Sequence, residues 1–179
     1  MLGSIREKNW DFLLPYPFRP NAERPNISRV AGNVLPVNSV KEALTQLAEG
    51  RDFDSLSAAL MDLSPEQATV IPKGCPYSIA TIVHHMWFWQ DRWLKQIADI
   101  HCDTFIDDNS DFNVIAPADW VATRDLFFDG FISIRERAIH TNVFEKPTQF
   151  GDTVEGLLVR TSLHTAYHVG QIVLLRRLI

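Results

Sequence analysis

The chain has 179 residues, of which 46% are hydrophobic and 22% charged, so it is long enough for one domain with a substantial hydrophobic core. A net charge of -5 without a cluster of Lys or Arg argues against a surface that binds nucleic acid. Cys75 and Cys102 match no paired spacing and no apolar run is long enough to cross a bilayer, so we expect a cytoplasmic protein without a membrane partner.

The first 38 residues differ in composition from the rest of the chain. They hold 5 of the 10 prolines and four large aromatic residues: Trp10, Phe12, Tyr16 and Phe18. Prolines at this density prevent a long helix, and the aromatic rings favour contact with protein over a solvated tail. We predict an extended N-terminal arm over residues 1–38 that lies on the domain formed by residues 39–179 or on a partner subunit. A disordered leader is the alternative.

Apolar residues then recur at helical spacing in four segments. The first segment begins at Asn38 or Ser39 and ends before Ser64-Pro65, with Gly50 as its weak point. The second follows Pro76, has Ser78 as a candidate N-cap, and carries a wide apolar stripe.

A polar loop over residues 103–117 separates the second predicted helix from the third. The third covers residues 118–139, and the fourth covers residues 152–178 with Asp152 as a candidate cap. No alternating run long enough for a strand competes with these patterns. The simplest architecture is therefore an all-α four-helix bundle over residues 39–179.

Two of the six histidines share one face of the predicted fourth helix. His164 and His168 are four residues apart, so their side chains lie one turn apart. They fall on the stripe that must face the interior: Leu157, Thr161, Ile172 and Leu175. Burying two imidazoles is costly unless each ring nitrogen has a partner, and one shared cation satisfies both. The pair is a candidate for metal binding, although this spacing also arises by chance.

A third ligand is expected from a facing helix, since three protein ligands leave open positions for water or substrate. The second predicted helix offers His84 and His85, whose side chains point about 100° apart, so only one of them can join the site. The helical wheel favours His85 slightly, because it lies on the flank of the apolar stripe. His101 and His140 fall near helix ends and are predicted to be surface residues.

Two segments resemble motifs of the DinB/YfiT-like family of metalloenzymes. The segment from Tyr77 to His85 is similar to the start of that family's second helix, in which a metal-binding histidine follows the serine by seven residues; from Ser78 this gives His85. The segment from His164 to Ile172 resembles its H-x3-H-x-G-Q-I motif. The resemblance covers roughly residues 51–179 and carries two motifs in the right order. It offers no counterpart for the arm or for a catalytic carboxylate.

The resemblance implies an up-down-down-up four-helix bundle, a divalent metal held by His85, His164 and His168, and frequent homodimers. Characterised relatives include S-transferases that use bacillithiol and the mycothiol-dependent maleylpyruvate isomerase. We expect one divalent ion, zinc or nickel first and iron, manganese or copper as alternatives, together with a low-molecular-weight thiol. The apolar side chains of Trp87, Phe88 and the arm also favour a homodimer.

Three neutral imidazoles leave the full charge on a bound ion, which would then activate water for hydrolysis or a thiol for transfer to an electrophile. Hydrolysis usually needs a general base, and no acidic residue lies between His164 and His168, which favours thiol chemistry. Gln171 is a candidate for orienting a ligand or water, and Trp89 and Tyr167 for lining the pocket. An ordinary polar position explains Gln171 equally well, whereas aromatic residues at the spacings of Trp89 and Tyr167 more often belong to the core. No catalytic residue is assigned.

Two non-enzymatic alternatives remain. The first is a sensor module for small molecules or stress that binds the metal without turnover. The second is a structural bundle in which the three histidines are hydrogen-bonded and hold no metal.

Overall fold

A computed structural model describes residues 39–50, 53–100, 111–140, 145–149 and 151–179. Within these ranges every regular element is a helix, and the one contact of strand type is an isolated bridge between Pro147 and Thr153. The predicted all-α class is thereby confirmed. None of the helices in these ranges is both long and apolar enough to cross a membrane. The predicted arm, residues 1–38, lies outside the described residues and stays a prediction.

Six α-helices and one 3-10 turn make up the described fold. The α-helices are α1 (Ser39–Glu49), α2 (Leu56–Leu60), α3 (Pro65–Thr69), α4 (Ile79–Ile97), α5 (Trp120–His140) and α6 (Val154–Leu175). The 3-10 turn, Pro117–Asp119, leads directly into α5.

The first predicted helix is wrong in its extent, because two shorter helices, α1 and α2, replace it. Gly50 adopts φ +69°, and a β-carbon there would lie 2.5 Å from the backbone nitrogen of Ser55, so the chain turns at a position that only glycine fits. Ser55 then caps α2. Ser64-Pro65, predicted to end a helix, begins α3, where Ser64 and Gln67 form a reciprocal capping box.

The other helix boundaries lie close to the predicted ones. Ser78 caps α4 as predicted, its hydroxyl accepting the backbone N–H of Thr81 at 3.1 Å. The cap of α6 is Thr153, which accepts from Gly156 at 3.0 Å, and not its neighbour Asp152. The carboxylate of Asp152 instead pairs with Arg160 at 2.9 Å.

The hydrophobic core lies between the longer helices. Helix α4 packs against α5 and α6, and α1 packs against the same two helices. The largest fully buried apolar side chains come from all four of them: Leu44, Ile79, Met86, Trp120, Phe127, Ile134, Leu158 and Ile172. Because α4 and α6 lie side by side, residues of one face residues of the other across the core.

Two contacts hold the shorter elements to this core. The indole Nε1 of Trp120 donates to the carbonyl of Leu63 at 3.3 Å, which joins α5 to the segment before α3. The guanidinium of Arg176 donates to the carbonyls of Ala59 at 3.0 Å and Met61 at 2.6 Å, beyond the C-terminal end of α6. It thereby satisfies carbonyl groups at the end of α2, which has no further turn of its own.

The residues behind the homodimer prediction are partly covered within the chain. Trp87 packs half-buried against the core, and the guanidinium of Arg92 lies 5.8 Å from the ring centre of the half-buried Phe88. Cys75 is a half-buried free cysteine, whereas Cys102 lies outside the described residues. The homodimer stays a prediction at this point.

Candidate metal centre

Three histidine side chains meet between α4 and α6. The Nε2 atom of His164 lies 3.0 Å from Nε2 of His85 and 3.1 Å from Nε2 of His168. One ring nitrogen from each residue lies within 4.8 Å of the others. The structure therefore brings together the three histidines that the sequence singled out.

Local structure explains why His85 reaches this point and its neighbour His84 does not. The Ser78 cap fixes the start of α4, and seven residues later the side chain of His85 points toward α6 and is 6% exposed. His84 is half-buried, with its Nδ1 3.4 Å from the backbone carbonyl of Asp111. His140 is exposed and His101 lies outside the described residues.

The register of α6 places its two histidines as predicted. The predicted interior stripe is buried throughout: Leu157, Thr161, Ile172 and Leu175. His168, on this side of the helix, is 5% exposed, while His164 is half-buried. His164 is therefore the most exposed of the three histidines.

Gln171 holds the far side of the His168 ring. Its Nε2 donates to the hydroxyl of Tyr167 at 3.1 Å, so its Oε1 is the atom that accepts the Nδ1–H of His168 at 2.7 Å. With the proton on Nδ1, Nε2 of His168 presents a lone pair toward His164. Gln171 and Tyr167 therefore fix the orientation and tautomer of His168.

Asp111 plays the corresponding part behind His85. Its Oδ2 lies 3.2 Å from Nδ1 of His85, although the direction of this contact falls outside hydrogen-bond geometry. The same oxygen accepts the indole N–H of Trp89 at 3.1 Å, and the residue is 9% exposed. The carboxylate favours a proton on Nδ1 and leaves the Nε2 lone pair facing the other two histidines.

Aromatic rings enclose two of the imidazoles. Phe112 stacks on His85 with ring centres 3.9 Å apart, and Tyr77 stacks on the other side of Phe112 at 4.3 Å. The edge of Trp93 meets His164 at 5.2 Å between ring centres. These contacts restrict ring rotation and exclude water from the sides of the group.

All three imidazoles are held in the neutral form. Burial, reinforced by His168, lowers the pKa of His85 to about 4 against the opposing effect of Asp111. Burial, reinforced by His168 and His85, lowers the pKa of His164 to about 3. Burial also lowers the pKa of His168, which its hydrogen bond to Gln171 partly offsets. Each ring therefore keeps a lone pair at neutral pH, as a metal ligand must.

The group fits a divalent cation better than it fits hydrogen bonding alone. A single proton on Nε2 of His164 can point toward only one of its two neighbours, which leaves another nitrogen without a donor. Nitrogens bound to one ion at 2.0–2.1 Å lie about 2.8–3.4 Å apart, and the separations of His164 Nε2 from Nε2 of His85 and of His168 fall in this range. A cation held among the three nitrogens would accept all three lone pairs.

Sequence reasoning placed some neighbours of the group and missed others. The structure puts Gln171, Trp89 and Tyr167 beside it: Gln171 bonds to His168, Trp89 to Asp111, and Tyr167 to Gln171. Asp111 and Phe112 were not foreseen as part of the site. A carboxylate partner for one of the histidines could be expected in general, because histidine ligands commonly have one. Nothing in the sequence indicates which of the 22 acidic residues it is.

The family comparison covers this same region of the chain. The model of the DinB superfamily matches residues 46–172, which include α4, α5 and all three histidines. The chain belongs to the DinB superfamily. Its membership agrees with the resemblance seen in the segments around His85 and His164. Neither the curated proteins nor the solved structures gave a match to this DinB superfamily chain.

Proposed function

We propose that this DinB superfamily protein is a metal-dependent enzyme that activates a low-molecular-weight thiol for attack on an electrophile. The observation that supports it most directly is the convergence of three neutral imidazole nitrogens from His85, His164 and His168. No charged ligand belongs to this set of described residues, so an ion held there would keep its full charge.

An ion bound by the three histidines would supply Lewis acidity that lowers the pKa of a bound thiol or water. The residues of the chain have a separate task, which is to orient the ligands. Asp111 and Gln171 hold the rings of His85 and His168 by their Nδ1 sides, and the aromatic rings of Phe112 and Trp93 limit access of water.

Thiol transfer is favoured over hydrolysis by the position of Asp111. Its carboxylate faces Nδ1 of His85, the nitrogen that points away from His164, and the same oxygen accepts from Trp89. It is therefore engaged in orientation and is poorly placed to act as a general base toward water among the Nε2 atoms. A thiol that loses its proton to the ion needs no such base.

We further propose that α1, α4, α5 and α6, in this chain order, form the up-down-down-up four-helix bundle expected from the resemblance. The contacts of α1 and of α4 with both α5 and α6 support this arrangement. For the ion, imidazole ligands suit zinc or nickel, with iron, manganese or copper as alternatives.

The experiment combines metal analysis with an activity screen. Purified protein is expected to carry about one divalent ion per chain. It should accelerate the reaction of small thiols with epoxides, haloaromatic or maleyl compounds, and chelation should abolish this rate. Cys75→Ser/Cys102→Ser should stay active, because the nucleophile is the added thiol. Protein without metal contradicts the proposal at its first step; metal and tight ligand binding without turnover favour the sensor hypothesis instead.

A further inference from the structure

A cavity of about 600 Å³ opens where α4 and α5 end and α6 begins. Its base is apolar and consists of Ile97 and Ala98 at the end of α4 and Val154 at the start of α6. Val154 is 2% exposed and belongs to the hydrophobic core, so the cavity reaches down to that core. Sites for small molecules commonly combine a volume of about 300–1,000 Å³ with an apolar lining and a few polar groups.

This cavity is separate from the three-histidine centre. Ile97 lies more than three turns beyond His85 on α4, which corresponds to roughly 18 Å along the helix axis. No histidine of the centre is among the described residues that line the cavity. The binding of a small ligand in this cavity can therefore be measured on protein with or without metal.

Three contacts hold the walls of the cavity in place. Lys146 pairs with Asp99, which joins the segment before α6 to the end of α4. The side-chain N–H of Gln149 donates to the carbonyl of Ile100 at 3.3 Å. The backbone N–H of Val154 donates to the carbonyl of Lys146 at 3.1 Å. Because the chain itself fixes these walls, a ligand does not have to order them, which favours binding.

Two opposite charges in the cavity have no partner of their own. Glu136 and Arg137 line it from the last two turns of α5, and both are exposed. Neither has a hydrogen bond or an ion pair with a residue that the structure describes. Lys146 and Asp99, in contrast, neutralise each other at the rim. The cavity therefore presents one carboxylate and one guanidinium to a bound molecule.

The helix ends around the cavity add to both charges. The C-terminal ends of α4 and α5 carry a partial negative charge, and the N-terminal end of α6 carries a partial positive charge. The cavity thus favours a cationic group and an anionic group at the same time. A molecule with a single charge would leave either Glu136 or Arg137 unmatched beside it.

We propose that the cavity binds a zwitterionic small molecule of α-amino-acid type with a large apolar side chain. The carboxylate of the ligand accepts two parallel N–H groups from the guanidinium of Arg137, and its ammonium group donates to the carboxylate of Glu136. The apolar side chain of the ligand lies against Ile97 and Val154. This site goes beyond the proposed activity, because it lies apart from the candidate metal centre.

The first test compares three compounds that share one aromatic body. L-phenylalanine carries both charges, 3-phenylpropionate lacks the ammonium group, and phenethylamine lacks the carboxylate. In NMR titrations of the full chain, phenylalanine should shift the backbone amide signals of Ala98, Arg137 and Val154. It should also bind about tenfold more tightly than either analogue. Absence of binding, equal binding of a singly charged analogue, or shifts only at other residues overturns the proposal.

The second test changes the two charged residues one at a time. Arg137→Gln and Glu136→Gln should each weaken the binding of phenylalanine about tenfold. Arg137→Gln should also remove its advantage over phenethylamine, and Glu136→Gln its advantage over 3-phenylpropionate. Arg135→Gln is the matched control, because this neighbouring residue of α5 does not line the cavity, and it should bind as the parent protein does. Unchanged affinity in Arg137→Gln, or the same loss in Arg135→Gln, overturns the proposal.

A third variant fills the cavity and leaves its charges intact. Ala98→Phe adds a large ring at the base and should abolish binding, whereas Ala98→Ser at the same position should bind nearly as the parent protein does. Circular dichroism checks that both variants are folded. A folded Ala98→Phe protein that keeps the parent's affinity overturns the proposal. Removal of metal by a chelator should leave the affinity for phenylalanine unchanged, so failure here is distinct from failure of the proposed activity.

Discussion

Trp89 and His85 share one carboxylate oxygen of Asp111 behind the candidate metal centre: this Oδ2 accepts the indole N–H at 3.1 Å and lies 3.2 Å from Nδ1 of His85. The carboxylate is thus held by a residue of the same helix that carries the imidazole. The orientation of the His85 ring therefore depends on the position that Asp111 takes in the fold.

Replacing Asp111 by Asn should weaken metal binding by about 10- to 100-fold, because the amide keeps the shape of the side chain but loses its charge toward His85. Competition with a chromophoric chelator for zinc measures this directly. Trp89→Phe is the control: it removes the other contact of Oδ2 while leaving the carboxylate, and it should have a smaller effect. Unchanged affinity in a folded Asp111→Asn protein would assign the carboxylate a purely structural role.

Removing His164 should abolish most metal binding, since its Nε2 lies next to both other rings. We expect His164→Ala and His85→Ala to purify with little or no ion, and His84→Ala to keep about one per chain. Elemental analysis, with circular dichroism to confirm folding, distinguishes the variants. Equal loss in His84→Ala and His85→Ala would point to damaged packing of α4.

The metal-free protein should lose stability as the pH falls below about 6.5. Burial lowers the folded-state pKa of His85 to about 4 and that of His164 to about 3, so the unfolded chain takes up these protons first. The associated stability is complete above 6.5 and is lost between 6.5 and these values. Each group adds a slope of up to about 1.4 kcal/mol per pH unit, measurable by urea unfolding of chelator-treated protein.

The control for this pH dependence is a histidine outside the centre. His164→Asn should make the slope between pH 6.5 and 4 shallower, whereas the same change at the exposed His140 should leave it nearly as it was. Parallel curves for the two variants would show that other groups set the acid sensitivity.

A buried amide in the core offers a test of stability away from the centre. Gln90 is 0% exposed, and neither its Nε2 nor its Oε1 has a hydrogen-bond partner among the described residues. Gln90→Met, which keeps the length of the side chain, should raise the free energy of unfolding by about 1–2 kcal/mol. Gln46→Met, at a half-buried amide that bonds Glu42, should not. If Gln90→Met instead lowers the free energy of unfolding, the amide of Gln90 has a hydrogen-bond partner.

The glycine opposite this amide gives a related prediction. A β-carbon at Gly130 would lie 2.8 Å from Oε1 of Gln90, so Gly130→Ala should destabilise the contact between α4 and α5. Adding Gln90→Ala should recover much of that loss by making room. A double-mutant cycle of unfolding free energies would measure the coupling, and simple additivity would rule it out.

The helices that carry the histidines could be predicted because their signals are local. Ser78 marks the start of α4, and the interior stripe of α6 follows helical spacing for several turns. Together with the motif around His85, these signals identified the three residues that converge. Their meeting required only that α4 and α6 pack side by side.

The remaining features depended on interactions that a pattern of apolar residues does not contain. The first helix broke where Gly50 turns and Ser55 caps the next helix, although an apolar periodicity runs through both positions. In the sequence, Asp111 lies in a predicted polar loop. Its position behind His85 is set by the path of the chain in three dimensions. Helix propensity predicts neither the break in the first helix nor the path of the chain that brings Asp111 behind His85.

The distance along the chain between His85 and His164 has a consequence for folding. The two residues are 79 positions apart in sequence, yet their Nε2 atoms lie 3.0 Å apart. An ion that joins them closes a long loop, and a covalent link over such a loop would restrict the unfolded chain by about 4.5 kcal/mol. The ion would therefore act as a reversible cross-link. The folded fraction of the protein in the cell would then depend on the concentration of free metal.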